Sequence, residues 1–191
     1  MIFISRYKVC IQSLMFIAMI MLFGACGPRP LTRHERSVVE KHIPHRATQL
    51  IKNKVLPDRA PMTSIELVRE IFNAHQLLKG RLPSPLTPGE LVASSIRRPG
   101  HGEVGDLIIF KTLPRTLDYA IIFRVLSHTR YQAIGMLLGE VRLIEIDLGH
   151  PQSRRDRQGV INTVIRPITK ADSTPYLYLA GALFSEFRSL F

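Results

Sequence analysis

Cysteine is scarce in this chain, and its placement decides what that scarcity excludes. The two cysteines are Cys10 and Cys26. Cys10 lies inside an apolar N-terminal run, so a chain cleaved after that run keeps Cys26 alone, with no partner for a disulfide. No thiol then remains in the folded part to act as nucleophile or zinc ligand. Acidic residues are the second shortage. Fifteen Asp and Glu against 26 Lys and Arg leave a formal charge of +11. Internal repeats and low-complexity tracts are absent as well.

What is present begins with a basic n-region, Arg6 and Lys8, followed by an apolar run from Ile11 to Phe23 diluted by Gln12 and Ser13. Small residues then precede Cys26 in "LFGAC", the layout of a bacterial secretory signal. The stretch resembles a lipobox, with Phe23 where leucine is usual and Leu22 one residue away. That resemblance implies a signal over residues 1–25, a diacylated Cys26 as the new N-terminus and a membrane anchor through it. An uncleaved anchor or an ordinary signal is the alternative, since Val9 to Cys26 is only just long enough to span a bilayer. Cleavage removes two basic residues and no acidic one, lowering +11 to +9. Such a surface favours anionic partners, lipid headgroups or acidic envelope polymers. Nucleic acid is not expected, because an exported chain seldom meets it. Gly27, in place of the aspartate that retains lipoproteins at the inner membrane, favours the periplasmic face of an outer membrane. Arg97-Arg98 and "RRDR" at 154–157 read as solvated loops.

After a short tether at 26–31, residues 32–191 suffice for one domain. Three Thr-x-x-Glu capping boxes stand at Thr32–Glu35, Thr63–Glu66 and Thr87–Glu90. They predict helices near 33–43, 64–78 and 88–97, with a further helix at 45–55 because Pro44 interrupts the first pattern. "RRPGHGEVGD" is turn chemistry. Four β-type runs follow, at 107–110, 119–126, 131–138 and 141–148, joined by links short enough for antiparallel hairpins. "GHPQSRRDRQG" reads as a polar loop, "VINTVIRPI" as a last strand and "YLYLAGALFSEFRSLF" as a terminal helix. The expected class is α+β, with N-terminal helices packed on one face of an antiparallel meander.

A helix-start motif followed by "VGDLIIF" (104–110), "DYAIIFRVL" (118–126) and "YQAIGMLLGEV" (131–141) resembles the NlpC/P60 papain-like cell-wall peptidases, relatives of the CHAP domains. The later "IDLGHPQSRRDRQG" and "YLAGALFSEF" are similar to extended, often lipoprotein, members. Matched residue by residue, Ser64 falls at the family's cysteine, Asp118 at its histidine and Gly135 at its third polar position. A papain-type thiolate needs a helix N-terminus and a histidine to lower its pKa. Serine is far less acidic and needs a base within hydrogen-bond reach. The resemblance therefore implies a membrane-tethered domain without the family's reaction, one that binds peptidoglycan or an envelope protein and carries no cofactor. The alternative is a hydrolase with a non-cysteine nucleophile, Ser64 served by His101 or His128. Asp106 is expected to accept backbone N–H bonds in its turn. No metal site is expected at His34, His42 and His45, because Pro44 breaks their spacing.

Overall fold

The computed structural model describes residues 30–53, 63–73, 87–113, 116–137, 139–166 and 177–191. The expected signal, Cys26, most of the tether and the far end of the second helix lie outside these residues.

Each capping box forms as its sequence dictates. Helix α1 (Arg33–Asn53) opens on Thr32, α2 (Ser64–Asn73) on Thr63 and α3 (Pro88–Ala93) on Thr87. In each, the threonine Oγ1 accepts from the glutamate N–H at 3.2 Å, and the glutamate carboxylate accepts from the threonine N–H at 2.6–2.8 Å. Two expectations about helix ends change. Residues 33–53 form one helix through Pro44, because Val39, Ile43, Ala47 and Leu50 make a continuous buried stripe on both sides of it. Their burial offsets a proline cost of about 3 kcal/mol, and Thr48 Oγ1 donates to the Pro44 carbonyl at 2.7 Å. Helix α3 stops at Ala93, where Ser95 turns back onto the Val92 carbonyl.

The residues freed by that early stop form β1 (Ile96–Arg98). Strands β2 (Leu107–Leu113), β3 (Thr116–Val125), β4 (Arg130–Leu137) and β5 (Glu140–Asp147) make the expected antiparallel meander. The C-terminus departs from expectation. After a hairpin of β6 (Arg155–Asp156) and β7 (Gly159–Val160), the chain makes one helical turn, α4 (Ala180–Leu183). It then enters the sheet as β8 (Phe184–Ser189), giving the order β1-β8-β2-β3-β4-β5. The slot between β1 and β2 supplies ladder bonds on both sides of this segment, and Arg188 donates to the Ser95 carbonyl at 2.9 Å. A terminal helix would forfeit those bonds. Among its described residues the "VINTVIRPI" stretch belongs to a named strand only at its first; beyond it Val164 makes an isolated bridge to Leu179, Thr163 N–H donates to the Glu145 carbonyl at 2.9 Å, and Thr163 Oγ1 accepts from Glu145 N–H at 2.8 Å.

The architecture is thus α+β, a six-stranded antiparallel sheet between two apolar layers. Leu107, Ile109, Tyr119, Ile121, Phe123 and Ile134 face the N-terminal helices. Arg46 pairs with Glu70 to tie α1 to α2, and Phe191 packs on Phe72 at 5.7 Å. Ile108, Phe110, Ala120, Ile122, Tyr131, Ile144 and Phe187 form the other layer, closed by Ile165, Ala180 and Phe184. Among the described residues no helix is long and apolar enough to cross a membrane.

Candidate functional site

A cleft of about 790 Å3 opens where α1, the turn before β2 and the β3–β4 hairpin meet. Its floor is the "GHGEVGD" turn, and the glycines explain how that turn gets there. A Cβ on Gly102 would lie 2.4 Å from Ile122 Cδ1, and Gly105 has φ +93° where an added Cβ would lie 2.9 Å from Val39 Cγ1 and 3.3 Å from Ile43 Cδ1. Only glycine lets the backbone lie this close to β3 and to α1. Gly105 N–H then donates to the Ile122 carbonyl at 2.8 Å, which starts β2 in register.

Asp106 holds the turn as its sequence position implies. Its buried carboxylate accepts from Glu103 N–H at 2.8 Å and from Arg98 Nη2 at 3.4 Å, and forms an ion pair with the same guanidinium, Nε lying 2.6 Å away. Burial pushes this carboxyl above its ordinary value, against the pull of the Glu103 N–H, Arg98 and the Ser189 hydroxyl. Glu103 in turn bridges Arg36 at 3.0 Å and Arg98 at 3.3 Å, which joins α1 to β1 across the cleft wall. Arg98 is therefore a structural member of the site and not a solvated loop residue, while Arg97 beside it is 74% exposed and pairs with Glu186. The Arg155-Asp156 part of "RRDR" is likewise an exposed two-residue strand.

On the opposite wall, His128 rides the β3–β4 hairpin and His101 the "GHGEVGD" turn. Their rings meet edge-on with centroids 5.9 Å apart. Tyr131 beneath them is fully buried and its hydroxyl donates to the His128 carbonyl at 2.6 Å. Burial pushes the Tyr131 phenol up, and a hydrogen bond with the Gly102 backbone pulls the other way. One phenol thus ties both histidine-bearing loops to the sheet. Val125 and Leu126 stand exposed at the rim.

The positions matched to a peptidase centre do not gather here. Ser64 is the first residue of α2, half-buried beside the Thr63 cap, and does not line the cleft. Gly135 lies in β4 on the face away from the helices, where an added Cβ would meet Ala120 at 3.2 Å and Ile144 at 3.4 Å. Asp118 stands in β3 opposite Phe110. Cys26 is outside the described residues. Because α1 continues through Pro44, His42 and His45 are one helical turn apart after all, and His45 Nε2 lies 3.0 Å from Gln49 Nε2. Among the described residues no group of three or more His, Cys, Asp or Glu side chains is gathered at one point.

A second polar centre escaped the sequence reading. Asn162 is fully buried below the β5 end. Its amide donates to the His150 carbonyl at 2.9 Å and the Ser153 carbonyl at 2.8 Å, and its Oδ1 accepts from Asp147 and Gly181 N–H, both at 2.9 Å. Buried Asp147 accepts from Gly149 N–H at 2.8 Å and lies 3.3 Å from the exposed His150 ring. The available signal was the pair of stretches "IDLGHP" and "LAGAL", which this asparagine joins.

Compared with protein-family models, curated proteins and solved structures, the chain matches none.

Proposed function

We propose that this chain is a lipid-anchored envelope protein of degenerate NlpC/P60 type that binds peptidoglycan without cleaving it. One observation carries the loss of chemistry. Helix α2, which Ser64 begins, packs on β3 and β4, so a base for Ser64 would have to project from that face of those strands. Among the described residues, the side chains packed there are Tyr119, Ile121 and Phe123 on β3, with Ile134 and Met136 on β4. None of them takes up a proton at neutral pH. The α+β layering supports the family resemblance, and the helix start retains its cap while the described side chains packed against α2 on that face offer no base for a serine.

The cleft supports the binding half of the reading. Guanidinium and carboxylate groups alternate along its wall, with imidazoles opposite and apolar side chains at the rim. A cell-wall stem peptide, which carries carboxylates, amines and short apolar side chains, has the matching chemistry. Full-length protein should co-sediment with purified peptidoglycan and release no stem peptides. Arg36→Ala should weaken the co-sedimentation and Ser64→Ala should leave it unchanged. Stem peptides that appear with the parent and vanish in Ser64→Ala would establish a hydrolase, and absence of co-sedimentation would turn the assignment to a protein partner. Loss of acyl labelling and of membrane association in Cys26→Ser tests the anchor.

A further inference from the structure

The two imidazoles of the cleft are paired more closely than peptide binding requires. His101 and His128, which are 27 residues apart in sequence, present exposed imidazoles to each other with centroids 5.9 Å apart and ring planes 80° apart. An imidazole nitrogen sits about 2.1 Å from a bound zinc ion and the ring centre about 1.1 Å further, so two imidazoles sharing one ion have centroids roughly 5–6.5 Å apart. The observed separation falls inside that window. Exposed rings turn about their side-chain torsions at little cost, so aiming the nitrogens asks nothing of the backbone.

The backbone, by contrast, is fixed. Gly102 is pressed against Ile122 and Phe187, which seats the loop bearing His101. The Tyr131 hydroxyl holds the His128 carbonyl, and Ser127 and Leu126 N–H both donate to the Arg130 carbonyl to close the hairpin. Local charge also suits a cation despite the basic chain. Of the ionisable side chains lining the cleft besides the two histidines, three are carboxylates (Glu40, Glu103, Asp106) and two are guanidiniums (Arg36, Arg98). Both guanidiniums are already paired with those carboxylates.

We infer that His101 and His128 together bind one divalent transition-metal ion in the cleft, each through a ring nitrogen. The remaining coordination positions stay open to water or to a carboxylate of whatever else the cleft takes. Imidazole donors select zinc, nickel or copper, whereas magnesium and calcium require oxygen cages that this pair does not provide.

Calorimetric titration of the untagged, detergent-solubilised full chain with zinc, nickel or copper chloride at neutral pH tests the assignment. The expected result is one ion per chain at this site. Either His101→Ala or His128→Ala alone should lower its affinity at least about tenfold, the minimum seen even for losing an outer partner of a ligand. His45→Ala and His150→Ala should leave it unchanged. The ion should raise the unfolding temperature of the parent but not of the two cleft variants, whose metal-free melting should match the parent and so show that they fold. No binding, binding indifferent to either cleft histidine, or binding lost in His45→Ala would each overturn the site. The assay contains no peptidoglycan, so its outcome leaves cell-wall binding to be judged separately.

Discussion

The Asn162 centre and the His101–His128 cleft solve the same geometric problem in opposite ways. Both join segments distant in sequence, and both rest on a buried aspartate at a strand end, Asp147 for one and Asp106 for the other. The Asn162 side chain directs both its amide and its Oδ1 at backbone groups inside the fold. In the cleft the backbone is secured from beneath by glycines and Tyr131, and the two imidazoles are left exposed. A polar centre that saturates its own hydrogen bonds stabilises the fold, while one that delegates this to the backbone beneath keeps its chemistry accessible.

The sharpest way to break this contrast is Asn162→Ala. It strands two buried N–H groups and several carbonyls, and should cost roughly 3 kcal/mol or more, measured by urea unfolding. Gly181→Ala attacks the same centre sterically. The new methyl would sit 2.5 Å from Asn162 Oδ1 and 2.8 Å from both the Asp147 carbonyl and Pro151 Cα, an overpacking worth about 1–3 kcal/mol by the same assay. At the helix start, Thr63→Ala should cost about 1 kcal/mol through the lost cap. Ser64→Ala should stay within about 0.5 kcal/mol, and a thermal melt of the two variants side by side separates cap from neighbour. His101→Ala should likewise leave stability within about 0.5 kcal/mol, since its ring is exposed.

The smallest effect concerns pH. Because the folded Asp106 carboxyl titrates above its ordinary value of 3.8, the unfolded chain releases that proton first. Its contribution to stability is therefore fully present below that value and is lost as pH rises through the folded one. Urea midpoints across this acidic range should fall with pH more steeply in the parent than in Asp106→Asn.

Much of the helix and meander organisation was legible because it is locally encoded. Thr-x-x-Glu boxes, hairpin-length links and the Asp106 turn each depend on residues three or four apart. What failed depends on distant neighbours. Pro44 was read as a break, since the buried stripe that carries the helix across it gains its value only against the sheet. "ALFSEFRS" has helical composition, yet the open slot between β1 and β2 decides its state. The cleft was half visible: His101 and His128 were singled out separately as loop residues, and no spacing in the chain announces that a hairpin and a glycine turn bring their rings together.

The position of β8 has a consequence in time. Among the described residues strand β1 pairs with β8 alone, and Ile96 lies opposite Ser189, 93 positions later in the chain. Until β8 takes its place, β1 lacks its strand partner and β2 presents a bare edge. The meander is local and can form early, whereas this slot is filled only by a contact distant in sequence. A chain shortened by its final eight residues, Phe184–Phe191, would lose Phe187 from one apolar layer and Leu190 from the other at once. Insertion of β8 is thus the step that joins β1 to the rest of the sheet.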